Sequence, residues 1–518
     1  MSAPPRKRPR VSPPPSSAES AAPPPVAVPS SGPAAAAAGA ERTPPAGLSI
    51  RPPAQYLSAG PTPFQLPFHL TSFSYSPSRE LLLDDARKDE ALAYYREPPL
   101  GSDLNYGFEQ AVWRDGSVDE GLDALLETLS SWARKNAGPA ADDLLSKISV
   151  ITWRGMLTKL MLAVYEADNV ANGRRADGWE MNAMVVDGCL YLEESNPPAK
   201  LTAKSASELS NALPSYYGYS FESYCTTAGP SSSATSPAPA PPHSFHVPNT
   251  NVQWCSVVKT NLGGFRALVG GEVDCVRSDA PADARKVGTK DFVELKTNLV
   301  IQSQRDEVNF ERLKLLKHYV QSFLLGVPRI TVGFRTRAGE LAALQHFNTL
   351  EIPRLVRGKP HAWDPAACLA SAKELLAFLH AQIKAHEATQ RAEAALADAC
   401  DLEDAGMREW PVFRVSFDPA KRLVSLRKLT SDEVRGEVWA AKRPVEGEES
   451  EGDGRIGFLL ASWVREVKAR RERLSAGAAA KKSSAEESST GSVGPVPPNV
   501  DSANAPPPSR GVAAGLKR

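Results

Sequence analysis

The chain has 518 residues and a formal net charge of zero, because 60 Lys and Arg residues are balanced by 60 Asp and Glu residues. This balance gives no support for nucleic-acid binding through bulk basicity, so a phosphate-binding groove would have to be local. The 6 cysteines show no CxxC spacing, and no signal peptide or long apolar segment is visible. We therefore expect an intracellular protein with reduced thiols and no membrane association.

Both ends of the chain are predicted to be disordered. Residues 1–60 and 476–518 are dominated by small residues and proline, a composition that buries too little apolar surface to fold. We therefore predict a single folded domain over residues 61–475. The basic cluster at residues 6–10 has the form of a nuclear-import signal and predicts a nuclear protein, although a generic solubilising patch is the alternative.

The first half of the predicted domain mixes helices and strands. The charged stretch 81–95 predicts a helix, and leucines at the spacing of one buried face predict another over 119–135. A hairpin is predicted over 179–193, with its turn at Asp187 and Gly188. Residues 226–242 are rich in Ser, Pro and Ala, which predicts an exposed insertion.

The second half continues with strands and then helices. The apolar pattern predicts elements in the following order: strands 254–260, 266–276 and 291–300, helix 309–325, strand 330–335, helix 366–397, hairpin 410–424 and helix 456–474. The first three strands would form a meander. Gly326 and Pro328 are typical residues for the end of the first helix.

Two of these strands carry charged side chains at alternate positions. Glu272 and Asp274 are two residues apart, as are Glu294 and Lys296, so each pair would share one face of its strand. Carboxylate oxygens suit Mg²⁺ or Mn²⁺. Two such ions can hold the attacking and leaving oxygens of a phosphate displacement, while a lysine stabilises the developing charge.

The alternative for these pairs is an ordinary solvated sheet face. Apolar neighbours such as Val273 and Phe292 instead indicate interior strands, where carboxylates are costly unless a cation or hydrogen bonds satisfy them. Lys314, Lys317 and Gln321 share one face of the predicted helix 309–325, which could face either an anionic groove or solvent.

Further motifs stand in a fixed order along the chain. They are Trp153-Arg154-Gly155, Tyr217-Gly218-Tyr219-Ser220-Phe221-Glu222, Gly271-Glu272-Val273-Asp274, Val293-Glu294-Leu295-Lys296 and Gln321-Ser322-Phe323. Over roughly residues 64–335, this order resembles the DXO family of RNA 5′-end decapping and exoribonuclease enzymes. The resemblance implies an α+β fold, with a mixed β-sheet core of the PD-(D/E)xK nuclease type flanked by helices.

The resemblance also implies roles for individual residues. The implied metal ligands are Glu222, Glu272, Asp274, Glu294 and the backbone carbonyl of Leu295. The implied catalytic residues are the same four carboxylates together with Lys296 and Gln321. The implied substrate contacts are Arg154, which would hold the 5′-end phosphates, with Trp153, Gly155, Cys255, Glu272, Lys296, Gln321, Arg79 and Glu120.

The leading hypothesis is therefore a nuclear, Mg²⁺- or Mn²⁺-dependent hydrolase of RNA 5′ ends. By the resemblance it would release pyrophosphate from 5′-triphosphate RNA and remove incomplete caps and NAD caps, in association with the nuclear 5′-to-3′ exoribonuclease. The alternatives are a chiefly non-catalytic stabilising partner of that exoribonuclease, and a DNA nuclease on the same core. A cap-binding aromatic side chain cannot be chosen from the sequence among Trp113, Trp153, Trp179 and Trp254.

Overall fold

The computed structural model describes residues 46–210, 212–229, 245–396, 410–443 and 454–490. The strands are β1 (Ala46–Ser49), β2 (Phe64–Tyr75), β3 (Leu81–Leu82), β4 (Tyr94–Tyr95), β5 (Val150–Trp153), β6 (Trp179–Val186), β7 (Cys189–Glu194), β8 (Thr226–Thr227), β9 (Gln253–Leu262), β10 (Phe265–Glu272), β11 (Cys275–Val276), β12 (Phe292–Leu299), β13 (Arg329–Arg335), β14 (Leu341–Asn348), β15 (Phe413–Asp418), β16 (Leu423–Lys428), β17 (Arg455–Ile456) and β18 (Leu459–Leu460). The α-helices are α1 (Pro53–Leu57), α2 (Asp123–Lys135), α3 (Pro139–Ser146), α4 (Arg154–Ala171), α5 (Pro198–Ser210), α6 (Ala212–Tyr224), α7 (Gln304–Asn309), α8 (Leu316–Leu325), α9 (Ile352–Val356), α10 (Pro365–Leu396), α11 (Ser431–Glu433) and α12 (Ala461–Thr490).

The larger sheet is mixed and lies between two helical layers. Among the described residues it has ten strands in the order β1-β16-β15-β6-β7-β5-β10-β9-β2-β3. Strand β5 runs parallel to both of its neighbours, and the other pairs are antiparallel. Because side chains alternate along a strand, Val269 packs in the core cluster shared with α4 and α10. The adjacent Leu268 packs on the opposite face, with residues of α2 and α12.

The smaller sheet receives the chain directly from the larger one. Its strand order within the described residues is β14-β13-β12-β11-β4-β8. The chain leaves the larger sheet at the end of β10, passes through Val273 and Asp274, and enters β11. Strand β11 then pairs antiparallel with β12, and β12 pairs parallel with β13. Both antiparallel pairings of the predicted meander are therefore present, but the prediction of one continuous second strand over 266–276 is wrong, because that stretch is divided into β10 and β11 in different sheets.

The predicted α+β class with a mixed sheet core is confirmed, but order begins earlier than the predicted residue 61. Strand β1 pairs antiparallel with β16, with Ala46 opposite Leu426. The buried side chain of Tyr56 in α1 donates a hydrogen bond of 2.7 Å to Glu374 in α10. At the other end, α12 continues to Thr490, past the predicted boundary at residue 475. Residues 1–45 and 491–518, including the basic cluster, lie outside the described residues.

Several local predictions are also corrected. The stretch 81–95 is not a helix, because it contains β3 and β4 joined by turns. The first residues of the predicted insertion form β8, which pairs with β4, while residues 230–244 lie outside the described residues. The hairpin of β6 and β7 is confirmed with its turn at Asp187 and Gly188. In the described part of the chain, no helix has both the length and the apolar character needed to span a membrane.

Candidate active site

The charged pairs predicted from the sequence lie where the two sheets meet. Glu272 is the last residue of β10, and Asp274 follows it in the crossover. The Asp274 carboxylate accepts a hydrogen bond of 2.7 Å from the backbone N–H of Leu295 in β12, which ties the crossover to that strand. Leu295 belongs to the same buried hydrophobic cluster as Phe221 of α6. By strand alternation, Glu294 and Lys296 project from the other face of β12.

Two cations hold the Glu294 carboxylate. Its Oε2 accepts a hydrogen bond of 2.9 Å from Nη1 of Arg154, and its Oε1 lies 2.7 Å from Nζ of Lys296. The Glu294 side chain is fully buried, and burial alone would raise its pKa. Arg154 and Lys296 outweigh burial and lower the pKa of Glu294 to about 2, so this carboxylate is ionised at neutral pH.

The other three carboxylates are compensated less completely, although Oδ2 of Asp274 lies 3.4 Å from Nζ of Lys296. The pKa of Glu222 is raised well above its ordinary value, first by burial and then by the charges of Asp274 and Glu272. Burial is also the main cause of the raised pKa values of Glu272 and Asp274, and Lys296 opposes the increase in both. The site therefore has more carboxylates than cations, and a bound divalent cation would remove this excess of negative charge.

The residues fit a divalent metal ion by type, although they are not arranged as a closed ligand cage. Carboxylate and backbone carbonyl oxygens are the ligands that Mg²⁺ and Mn²⁺ prefer. Among the described residues, however, no three His, Cys, Asp or Glu side chains form a metal-binding group as they stand. One reason is that both oxygens of Glu294 face Arg154 and Lys296. The five predicted metal ligands therefore remain a prediction.

Arg154 is placed by the junction between β5 and α4. It is the first residue of the 18-residue helix α4, where a cation is disfavoured by the helix dipole and an anion is favoured. Its side chain is only 14% exposed, so its position depends on the ion pair with Glu294. Gly155 follows it with open space where a Cβ would lie. An arginine at this position therefore has an electrostatic cost that a phosphate-binding role would explain.

Trp153 is a packed residue. Its indole N–H donates a hydrogen bond of 2.7 Å to the carbonyl of Gly121, and its ring lies against Gly270, where an added Cβ would approach to 2.8 Å. A side chain at Gly270 would therefore displace the indole. The indole is therefore packed, and the neighbouring guanidinium of Arg154 is also largely buried.

Arg79, Glu120 and Cys255 line one wall beside Glu272. Arg79 is buried, adopts a positive φ of 66°, and forms two hydrogen bonds of 2.9 and 2.7 Å with the Glu120 carboxylate. It also donates a hydrogen bond of 2.7 Å to the side chain of Gln253. Gln253 in turn hydrogen-bonds Glu272, and Cys255 lies directly opposite Glu272 in the β9–β10 register. These predicted substrate contacts are thus brought next to the carboxylates.

Gln253 was missed by the sequence analysis. It begins β9 two residues before Cys255, and therefore shares a strand face with it. The rule that alternate residues share a strand face was applied to the charged pairs in the sequence. The same rule pairs Gln253 with Cys255. Its contacts to both Arg79 and Glu272 join the wall of the site to the carboxylate cluster.

Gln321 lies on α8 and is partly buried. Three residues before it, His318 is buried, and among the described residues neither of its ring nitrogens has a hydrogen-bond partner. Burial and the charge of Lys296 lower the pKa of His318 to about 3, so the imidazole is neutral at neutral pH. The predicted helix 309–325 is interrupted by a π-helical segment at Phe310–Leu315, a feature that is frequent near functional sites.

Comparison with known proteins identifies the family. Residues 65–443 match the family described as RAI1-like PD-(D/E)XK nuclease. The chain belongs to this family. It is 34% identical over 483 residues to the decapping nuclease RAI1 of Mycosarcoma maydis, a match covering 80% of this chain and 91% of that relative. It is 35% identical over 335 residues to the decapping and exoribonuclease protein of Mus musculus, covering 63% and 78% of the two chains.

Solved structures support the fold of this RAI1-like chain. S. pombe Rai1 in complex with 3′-FADP is 25% identical with a TM-score of 0.52, and the match covers 74% of this chain and 100% of that one. Candida albicans Rai1 in complex with pU5 and Mn²⁺ is 21% identical with a TM-score of 0.59, covering 79% and 96%. The predicted family and nuclease type are confirmed, and the family match extends beyond the predicted end of the resemblance at residue 335.

Proposed function

We propose that this RAI1-like chain is a divalent-metal-dependent hydrolase of RNA 5′ ends. It would release pyrophosphate from 5′-triphosphate RNA and remove incomplete caps and NAD caps. The observation that carries this proposal is the excess of carboxylates beside the Arg154–Glu294–Lys296 network. A purely structural cluster would gain nothing from carboxylates whose ionised forms are disfavoured by burial and by each other.

The metal ion would be held by the four carboxylates and the carbonyl of Leu295. Mg²⁺ or Mn²⁺ bound there would supply an activated water nucleophile and would neutralise charge on the phosphate oxygens. The complex of the Candida albicans relative with pU5 and Mn²⁺ supports this choice of cofactor and substrate. Asp274 is already oriented toward the site by the backbone N–H of Leu295, which limits the reorganisation that binding would require.

Arg154 and Lys296 would act directly on the phosphates. A guanidinium can bind two phosphate oxygens at once, which suits Arg154 to hold the 5′-terminal group. Lys296 remains a cation because Asp274 and Glu294 raise its pKa, although burial opposes this increase. Its ammonium could therefore stabilise charge that develops on the phosphate during the reaction.

We also propose a nuclear location and association with the nuclear 5′-to-3′ exoribonuclease. The basic cluster at residues 6–10 supports the location, because its composition suits an import receptor. A function in RNA 5′-end quality control would follow if the hydrolase generates the 5′ ends that such an exoribonuclease degrades. Co-purification of the full chain with that exoribonuclease from nuclear extract tests the association. Deletion of residues 6–10 should abolish this co-purification only because the chain no longer reaches the nucleus.

The central experiment compares wild type with the Glu272→Ala/Asp274→Ala variant. Each protein is incubated with 5′-triphosphate, methyl-capped, unmethyl-capped and NAD-capped RNA, with Mg²⁺, Mn²⁺ or a chelator, and the released products are resolved. We expect metal-dependent release by wild type and by Asp279→Ala, a control that removes an exposed carboxylate five residues from Asp274. The double variant should release nothing. If wild type leaves every RNA intact but cuts DNA, the DNA nuclease hypothesis replaces this one.

A further inference from the structure

The structure distinguishes the four tryptophans among which the sequence could not choose. Trp179 and Trp254 are core residues with 9% and 2% of their surface exposed. Trp153 is held by Gly121 and packs beneath Gly270. Trp113, in contrast, is 42% exposed. Of these four indoles, it is the one with substantial surface available to a planar ligand.

Trp113 is held in place by two tyrosines of α6. The Trp113 and Tyr219 ring centroids are 5.9 Å apart, and the rings meet nearly at right angles, at 82°. Tyr216 lies at 6.4 Å and is buried. Edge-to-face contacts of this kind fix the orientation of a ring. A ring that is both oriented and exposed can stack on a base with little loss of side-chain freedom.

Helix α6 connects this ring to the catalytic carboxylates. Tyr219 precedes Glu222 by three residues, so the two side chains lie next to each other on the helix surface. Tyr219 packs against Trp113, whereas Glu222 is affected by the charges of Asp274 and Glu272. The exposed indole therefore contacts a residue that lies one helical turn from Glu222.

The residue after Trp113 connects to the same cluster by a second route. Nη1 of Arg114 lies 3.6 Å from Oε2 of Glu120, which forms the double hydrogen bond with Arg79. Arg79 contacts Gln253, which bonds Glu272. The indole is thus joined to the site both through α6 and through the Arg79 wall, which places it at the rim of the candidate active site.

The rim next to Trp113 carries excess positive charge. Arg79, Arg114 and Arg443 all approach the carboxylate of Glu120, with Arg443 at 3.9 Å. Arg443 also interacts with Asp115, so three cations face two carboxylates. The side chains of Arg114 and Arg443 are 39% and 58% exposed, so both are accessible to a polyanion. Exposed guanidinium groups beside an oriented aromatic ring are the combination that binds single-stranded nucleic acid.

We propose that Trp113 is a stacking platform for a nucleobase of the RNA chain as it leaves the site, and that Arg114 and Arg443 bind its phosphates. This inference rests on the proposed function. The RNA body is favoured over the cap because a polymer must leave across open surface, whereas the Arg154 side of the site is enclosed around a fully buried Glu294. Stacking reads no base identity, so this contact selects single strands irrespective of sequence.

The binding test uses fluorescently labelled single-stranded RNA and full-length protein in chelator, so that no turnover is required. Trp113→Ala should weaken binding by about ten-fold, and Trp113→Phe should restore most of it, because any aromatic ring can stack. Phe68→Ala, which removes another exposed aromatic side chain from β2, is the matched control and should bind as wild type does. RNA with abasic nucleotides near its 5′ end should bind wild type and Trp113→Ala equally.

Steady-state kinetics separate an effect on RNA binding from an effect on the chemical step. With 5′-triphosphate RNA, Trp113→Ala should raise KM without changing kcat, whereas with a nucleoside triphosphate both values should match wild type. Equal RNA binding by wild type and Trp113→Ala, or a loss that persists with abasic RNA, overturns the platform. If Trp113→Ala binds an unmethylated cap dinucleotide more weakly but binds RNA as wild type does, the ring belongs to the cap site. This result also overturns the proposed RNA platform. If wild type has no activity, the proposed function is refuted, but the RNA-binding measurement in chelator still tests the stacking role of Trp113.

Discussion

Among the buried ionic clusters of the described residues, the one around Lys442 and the one around Arg154 and Lys296 differ in how completely their charges are compensated. In the first, Lys442 is 1% exposed and contacts Asp119 at 3.1 Å and Glu193 at 2.9 Å. Asn182 donates a further hydrogen bond to Glu193, and Asn196 donates one to Asp119. In the second, Arg154 and Lys296 face four carboxylates, and three of these have raised pKa values.

The difference indicates which cluster stabilises the fold and which binds a ligand. The Lys442 cluster meets its hydrogen-bonding needs internally, and it fixes the loop from which Gly121 accepts the Trp153 hydrogen bond. The site cluster has two cations for four carboxylates, and a bound divalent cation would compensate the remainder. We call the cluster of Lys442, Asp119 and Glu193 the closed cluster, and the cluster of Arg154, Lys296 and the four carboxylates the open cluster. We expect the closed cluster to matter for stability and the open cluster for activity.

Loss of the buried lysine from the closed cluster should destabilise the fold more than any other change considered. Lys442→Met leaves Asp119 and Glu193 buried without their cation and should lower the free energy of unfolding by about 3–5 kcal/mol. Lys421→Met removes an exposed lysine that pairs with Asp418, so it should cost at most about 1 kcal/mol. Chemical denaturation of both variants measures the difference. Equal small losses would mean that the closed cluster is not the stabilising element.

Changes in the open cluster should reduce activity more than any other changes considered. Lys296→Ala should lower kcat for release of pyrophosphate from 5′-triphosphate RNA by about 10²–10³-fold, because it removes a cation from the phosphate site. Lys290→Ala removes an exposed lysine six residues earlier and serves as the control. Wild-type kcat in the Lys296 variant would show that its ammonium does not act on the phosphate.

Glu193, in the cluster around Lys442, should make the stability of the protein depend on pH. Burial is the main cause that raises the pKa of Glu193 to about 7, compared with 4.5 for an exposed glutamate. Between these values the unfolded chain has released the proton and the folded chain still holds it, so stability falls as the pH rises. The contribution should decline by roughly 3 kcal/mol across this window.

Denaturation at pH 5 and pH 7 tests this expectation. Glu193→Gln should flatten the slope, since the amide does not titrate. Glu294 has the opposite sign: its pKa is lowered to about 2, so its contribution is present above pH 4.5 and is lost as the pH falls toward 2. An unchanged slope in Glu193→Gln would place the titrating group elsewhere.

The smallest expected effect concerns the excess carboxylates themselves. Glu222→Gln replaces a buried carboxyl group whose pKa is raised by burial and by the charges of Asp274 and Glu272, so in chelator it should slightly raise the midpoint of thermal unfolding. The same variant should lose metal-dependent activity. Thermal denaturation in chelator, compared with denaturation in Mn²⁺, separates the two effects. Destabilisation in chelator would mean that Glu222 makes a favourable contact in the metal-free fold.

The sequence predicted the chemistry of the site better than its architecture. The alternation of Glu294 and Lys296 on one strand face depends only on neighbouring residues, and the structure places both in β12 as predicted. The sheet to which each strand belongs depends on contacts between distant segments, and the division of the predicted strand 266–276 between two sheets was missed for that reason. The helix predicted over 81–95 failed similarly, because pairing of its ends with β2 and β8 outweighs local helix propensity.

By itself, the sequence determined the family, the mixed α+β class and the identity of the charged motifs, because motif order and side-chain periodicity are properties of short segments. Tertiary structure decided which charges are compensated, since Arg154 and Glu294 are 140 residues apart. It also added β1 to the sheet and left Trp113 exposed while three other indoles are packed. These outcomes depend on which distant surfaces bury one another, and that is fixed only when the whole chain packs.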